Sequence, residues 1–440
     1  MEKVVREKLW THSFCAVAAG NFLLFFAFYL LLPVLPMYLS EAFAASRSTA
    51  GFILSSYTIT ALMIRPFAGY MVDTFPRKKL LLICYFTFLL FFGGYLLAGT
   101  LLLFAIIRAG HGIAFGLLTV SNSTVAIDVM PSSRRGEGIG YYGVSNNLAM
   151  AVGPTLSLYI HDSFANFDYI FLISMVSATI GLICVSTIRM PYRREPILEK
   201  PPVSLDRFLL LKGMPEALTL IFFSFSYGVL STYLAVYGKE ELGIDSGAGF
   251  FFVLLAVGLI LSRLTSGRWL NRGYVTRNIL VGMLLSLLGY LIFVAVRNEW
   301  GYYGAAVILG LGYGCICPAY QTMFINLAPN NQRGTANSTY LTAWDLGVGL
   351  GVLIGGQIAE ISNYATVYAT ACVLCAIGYV LFKMKTAAHF ENHKLRSNLL
   401  KYVNKRSEFN DIDFILHKIW AKTILLLSDM KKREGIMMSK

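Results

Sequence analysis

Charge is scarce in this chain. Asp, Glu, Lys and Arg make up 14% of its 440 residues and hydrophobic side chains 56%, against about 25% charged in an ordinary soluble domain. So little polar side chain cannot clothe so much apolar volume in water, which excludes a soluble globular protein and requires lipid as part of the solvent. The sequence also lacks a G-x-x-x-x-G-K-[ST] loop, which argues against an ATP-driven pump. It has no coherent nucleophile–base pair, so an enzyme is not expected. It holds no His/Cys/carboxylate cluster, so neither a metal nor a cofactor is expected. All seven cysteines fall within apolar runs, which excludes a disulfide framework. Cys372 and Cys375 have C-x-x-C spacing on an apolar stretch without a nearby His or carboxylate, a setting for packing rather than ligation. The net charge of +13 is dispersed over short loops, and no nucleic-acid partner follows from it.

What is present is a series of long apolar runs. A hydrocarbon core about 30 Å thick needs roughly 20 residues of helix, and that ruler places spans at 13–38, 49–72, 79–98, 101–128, 138–160, 168–188, 215–238, 248–270, 277–296, 302–328, 335–360 and 363–383. The expected fold class is therefore an all-α membrane protein of twelve transmembrane helices. Its expected domains are a six-helix bundle over 1–188, a polar linker over 189–214, a second bundle over 215–385, and a basic tail over 386–440. In the tail, Ile412, Ile415, Leu416 and Ile419 suggest an amphipathic helix on an anionic leaflet. No small-residue cleavage pattern follows the first apolar run, so the first span is expected to be retained. Basic residues concentrate in alternate loops, at Arg77, Lys78, Lys79, Arg134, Arg135, the linker, Arg272, Arg277 and Arg333. Positive loops stay on the cytoplasmic side, so both termini are expected there. Compact loops fit a bacterial inner (plasma) membrane, and a monomer in the lipid bilayer is expected.

The chain repeats itself. Arg65, Gly69, Gly112, Gly116, Pro131, Arg135, Gly136 and Gly153 recur as Arg263, Gly267, Gly310, Gly314, Pro329, Arg333, Gly334 and Gly351, every pair 198 residues apart. Coincidence at one offset across three helix pairs and a loop pair argues for duplicated, pseudo-symmetric halves, with a solute site near the midplane between them. The repeat fails where charge is concerned. Asp73, Arg108, Asp128 and Pro154 become Asn271, Ala306, Asn326 and Val352, while Asn147 becomes Asp345.

Four motifs carry a resemblance. Gly69-x-x-x-Asp73 followed by Arg77-Lys78-Lys79 closes the second span, with Pro76 before the Arg. Arg108-x-x-x-Gly112-x-x-x-Gly116 lines one face of the fourth span, because i, i+4 and i+8 coincide on a helix. Asp128 to Gly136 forms a polar loop echoed at Pro329–Gly334, and Gly143 to Gly153-Pro154 lies in the fifth span. Together they resemble the loops and helix motifs of the major facilitator superfamily, and in particular its twelve-helix drug/proton antiporters. The resemblance implies that Asp73 and Arg77 latch the outward-facing state, that Asp128, Arg135, Gly136 and Arg333 belong to gating loops, and that Arg108 serves proton coupling. Gly112, Gly116, Gly153, Pro154 and Gly267 are expected at close helix contacts or kinks.

A buried charge is expensive, about 2.5–3.5 kcal/mol at mid-membrane on insertion scales, so isolated charges are the functional candidates. Asp345 lies about 15 Å up the eleventh span from Arg333. It is either a proton-coupling carboxylate or half of a permanent ion pair, with Arg65 and Arg263 as the candidate counter-charges. His111, three residues after Arg108, either relays protons or bonds a neighbouring carbonyl. Asn146 and Asn147 are candidates for the substrate pathway, and Asn21, Tyr29, Tyr38, Tyr233, Tyr237, Tyr313, Gln321 and Trp344 for a pocket lining. The expected function is a secondary transporter exporting a small organic or amphipathic molecule in exchange for protons. An uptake symporter or a flippase for a lipid-linked substrate is the alternative.

Overall fold

The computed structural model describes residues 7–45, 47–164, 166–190, 204–244 and 248–395. Half of the linker (191–203) and the apolar tail positions Ile412 to Ile419 lie outside them. The described residues form α1 (His12–Leu31), α2 (Leu35–Phe43), α3 (Arg47–Thr74), α4 (Arg77–Leu96), α5 (Leu101–Val129), α6 (Arg135–Phe164), α7 (Phe167–Ser186), α8 (Met214–Leu242), α9 (Ala248–Asn271), α10 (Val275–Ala295), α11 (Glu299–Leu327), α12 (Arg333–Ile361), α13 (Tyr364–Leu381) and α14 (Ala387–His393), with no strand among them. All but α2 and α14 are long. Ten of the long helices are long and apolar enough to cross a membrane. The other two, α3 and α6, have 28 and 30 residues and lie along the seams between the halves, where polar side chains face protein rather than lipid.

Two ends differ from expectation. The first span, expected over 13–38, stops at Leu31 and resumes at Leu35. Pro33 stands in the break, where it has no N–H to give a continuing helix. The last span, expected to end at 383, runs on through a π-helical turn at Phe382–Thr386 into α14. That extension is pinned by His389 Nδ1, 2.9 Å from the fully buried Glu216 carboxylate at the start of α8.

The chain builds two pseudo-symmetric six-helix bundles. In the first half α1 packs on α6 and α7, α3 on α5, and α4 on α5 and α7. In the second α8 packs on α12 and α13, α9 on α11, and α10 on α11 and α13. Each pairing in one half has its counterpart 198 residues on. Helix caps follow suit, since Thr100 and Asn298 accept from Leu103 N and Gly301 N at 3.3 and 3.0 Å, satisfying otherwise orphaned donors of the first turn. The halves meet along two twin seams, α3 against α12 and α9 against α6. Glycine makes those approaches possible. A Cβ on Gly69 would lie 2.9 Å from Thr335 Cα, and one on Gly267 2.8 Å from Glu137 Cα.

Candidate functional site: the two seams

The seams carry polar chemistry at two levels. The first is the face bearing the basic loops. There the α3 terminus points Asp73 at the first turn of α12. One carboxylate oxygen accepts from Gly334 N at 2.8 Å and Arg77 Nη2 at 2.9 Å, the other from Thr335 N and Oγ1 at 2.8 and 3.0 Å. An acid set on exposed amides at a helix N-terminus, with an Arg beside it, is a favourable arrangement for negative charge. Arg77 is buried and also pairs with Asp128, and it donates to the Asn330 carbonyl of the other half at 3.3 Å. Asp128 in turn accepts from Arg333 Nη1 at 2.9 Å. Seven residues from both halves thus close one network. Arg135, a gating-loop candidate, lies within electrostatic range of Arg333 and Asp128, and Gly136 sits against Leu270 with no room for a Cβ.

The other seam repeats this geometry without the acid. Asn271 Oδ1 accepts from Glu137 N at 3.0 Å, and its Nδ2 lies 3.3 Å from Glu137 Oε2. Glu137 is also held by Arg134 at 2.8 Å. Thr335, Asn271 and Glu137 did not emerge as candidates from motif reading. Adding 198 to Asp73 gives Asn271 and adding it to Glu137 gives Thr335, so the offset relates the two seams to one another, although it does not give the contacts within either.

The second level lies two to three turns deeper. Arg65 of α3 reaches across to α12, and its Nη2 stands 2.7 Å from Asp345 Oδ2. Arg65 is 5% exposed, and its Nε and Nη1 are buried without a hydrogen-bond partner. Of the two candidate counter-charges, only Arg65 pairs with Asp345; Arg263 forms no ion pair among the described residues. Between the levels, Asn337 of α12 donates to Ser123 Oγ of α5 at 2.6 Å and accepts from Gln321 at 2.8 Å. Asn146 is half-buried and Asn147 buried, each with one buried side-chain atom unpartnered. Trp344 and Tyr313, from the expected pocket lining, meet Tyr227 at ring separations of 5.4 and 5.1 Å.

Arg108 is not at either seam. It is 2% exposed within the first half, its guanidinium 4.0 Å above the Tyr57 ring and 3.2 Å from the Tyr95 hydroxyl, which also bonds His111 Nδ1 at 2.9 Å. It has no acidic partner among the described residues. Gly112 and Gly116 explain the enclosure, because they bring α5 so close to the Tyr57 and Ala61 carbonyls of α3 that a Cβ would collide. The Arg one turn earlier on the same face is pressed into α3's aromatic side. Gly153 likewise admits α1, since its Cβ would lie 2.8 Å from Tyr29 Cβ, and α6 runs on through Pro154.

The family model of the Major Facilitator Superfamily matches residues 17–348 and 277–428. The chain is 24% identical over 381 residues to the uncharacterised MFS-type transporter YhhS of Escherichia coli, covering 83% of this chain and 90% of that one. It is 23% identical to a staphylopine export protein of Staphylococcus aureus (78% and 88% covered) and 27% identical to a probable sugar efflux transporter of Pasteurella multocida (78% and 85%). Among solved structures it is similar to the human organic anion transporter MFSD10, with TM-score 0.69 at 16% identity over 84% of this chain and 99% of that one. It is also similar to FucP in the outward conformation, with TM-score 0.71 at 15% identity over 84% and 97%.

Proposed function

The chain belongs to the Major Facilitator Superfamily, and from that we propose that it is a proton-coupled exporter of a small organic molecule, working by alternating access of its two halves. That it is a multi-pass transporter of a small-molecule solute follows from the family. The observation that carries the proton reading is the Arg65–Asp345 pair, a carboxylate and a guanidinium on different halves at 2.7 Å. Protonating Asp345 removes the negative charge and leaves a cation facing a neutral acid, which weakens the seam where it joins the halves. Proton arrival is thereby tied to separation of α3 from α12. The proton is taken by the Asp345 carboxylate.

The basic-loop face is placed in the cytoplasm on the positive-inside rule, with a bacterial inner membrane as the location and a monomer as the working unit. In that orientation the Asp73–Arg77–Asp128–Arg333 network closes the cytoplasmic end, so the structure is the state closed to the cytoplasm. Export homologues favour the outward direction, since two of the relatives above are described as an export protein and an efflux transporter.

The test is transport in proteoliposomes across an imposed pH gradient, with a panel of labelled organic solutes and each sign of gradient. Wild type is expected to move at least one solute out against its gradient only when protons flow in. Asp345→Asn is expected to lose gradient-driven movement and keep passive exchange. Gradient-driven movement undiminished in Asp345→Asn removes this residue from coupling, and accumulation only with the opposite gradient makes the protein an importer.

A further inference from the structure

We propose that Arg263 is the binding residue for an anionic group on the transported solute, and that the substrate class is an organic carboxylate with a flat apolar or aromatic body. The inference rests on the transport reading above and adds the chemistry of the cargo. It begins from the twin of the Arg65–Asp345 pair. Shifted by 198 residues, Arg65 becomes Arg263 and Asp345 becomes Asn147. Since α9 packs on α6 as α3 packs on α12, Arg263 meets α6 where an acid would stand in a symmetric molecule. The structure bears this placement out. The Arg263 guanidinium lies on Gly143, so close that a Cβ there would overlap Nη1, and Asn147 is one turn further along the same face of α6.

The position of the acid is filled by an amide. Arg263 Nε and Nη1 are buried with no hydrogen-bond partner, Asn147 Nδ2 is buried and unpartnered as well, and Arg263 makes no ion pair among the described residues. The guanidinium does meet one side chain at hydrogen-bonding range, the Cys317 thiol, and a thiol is only a weak acceptor. Buried donors without acceptors are costly and uncommon in folded proteins. Here they belong to one cation and its neighbour, at a level where the chain supplies two guanidinium groups and one carboxylate. The net charge of this layer is +1, which repels cationic solutes and selects an anion to complete the pair. A carboxylate on the solute would take the place that Asp345 takes opposite Arg65.

The body of the solute is indicated by what lies beside the layer. Tyr29 and Tyr227 are themselves twins, 198 residues apart, and stand within electrostatic range of one another across the two halves. Trp344, next to Asp345 in sequence, packs on Tyr227 with ring centroids 5.4 Å apart. Partly buried rings beside an unpaired cation form a site with an apolar surface and one charged anchor, the usual composition of a small-molecule pocket.

The experiment is a binding measurement on the purified full chain, by thermal unfolding with salicylate, an aromatic carboxylate, and salicylamide, its neutral amide. A ligand that binds the folded state raises the midpoint by mass action. Salicylate is expected to raise it in wild type and salicylamide to leave it unchanged. Asn147→Asp supplies the missing acid, so it is expected to fold at least as stably as wild type and to lose the salicylate response, with apparent affinity falling by about tenfold or more. Arg263→Gln is expected to lose it too, and serves if Asn147→Asp does not fold. The proposal is overturned by no response to salicylate in wild type, by equal responses to both compounds, or by a salicylate response that survives either substitution. Because Asp345→Asn leaves Arg263 in place, salicylate binding without gradient-driven transport would strike at coupling alone. Coupled transport of a neutral solute would strike at this inference alone.

Discussion

The two seams are built on one scaffold and differ in charge. At the basic-loop face, the α3–α12 seam places a carboxylate, Asp73, on two amides and a hydroxyl of the opposite helix, whereas the α9–α6 seam places an amide, Asn271, on one amide. Deeper, the first seam holds Arg65 against Asp345 and the second holds Arg263 against helix α6 with Asn147. At both levels the acid stands in one seam and its neutral amide twin in the other. Hydrogen bonds to a charged group contribute about 1.5–3 kcal/mol and neutral ones about 0.5–1.5. The shared geometry follows the repeat, and a single acid-for-amide difference at each level makes the seams unequal. The α3–α12 seam is the one that holds an ion pair between the halves at depth, and on the proposed function the one that protonation weakens.

The largest expected effect breaks that inequality from its strong side. In Asp73→Ala, Arg77 and the α12 first turn lose their buried acceptor, and breaking one partner of a buried ionic network costs about 3–5 kcal/mol. Hydrogen exchange at the Gly334 and Thr335 amides is expected to speed up on the order of a hundredfold or more. The matching Asn271→Ala change removes a neutral acceptor, and exchange at the Glu137 amide should change by only about 1 kcal/mol. Equal effects on the two amides would mean that charge does not distinguish the seams.

Next in size are substitutions that attack what the seams share. Gly69→Ala brings a Cβ to 2.7 Å from Ser338 Cβ and 2.9 Å from Thr335 Cα, and Gly267→Ala brings one to 2.8 Å from Glu137 Cα. Such overpacking typically costs about 1–3 kcal/mol. Because the obstruction is backbone in both cases, the two changes should destabilise to a similar extent, measured as the loss of thermal midpoint. A large disparity would show that the seams differ in packing as well as in charge.

How far the sequence foretold this depends on the kind of feature. The helices and the duplication were legible, because span length and a constant offset are properties of the chain itself. The early stop of α1 was legible too, in Pro33, and a span drawn by hydropathy alone overran it. The partner of Asp73 was not visible in the motif that contains Asp73, since two of its donors are backbone amides of α12 and amides leave no mark in a sequence. The choice between Arg65 and Arg263 as counter-charge to Asp345 required knowing which helix faces α12. The surroundings of Arg108 were hidden for a related reason: insertion cost says that a buried Arg needs company, and that company is the rings of Tyr57 and Tyr95, contributed by α3 and α4.

The smallest expected effect sharpens the comparison from its weak side. Asn271→Asp alone should not convert the second seam into the first. Glu137 occupies the place of Thr335, so a new carboxylate would face Glu137 Oε2, now 3.3 Å from Asn271 Nδ2, and like charges at that range repel. Arg134 offsets part of this through its pair with Glu137, but that pair is partly solvent-exposed and contributes about 1 kcal/mol at most. The single change is therefore expected to quicken exchange at the residue-137 amide modestly. The double change Asn271→Asp/Glu137→Thr recreates the pair found at Asp73 and Thr335, and should slow that exchange below the wild-type rate. If the double change protects no better than wild type, the strength of the first seam lies in Arg77 and Asp128 rather than in the acid on the helix terminus, since α10 begins with Val275 where α4 begins with Arg77.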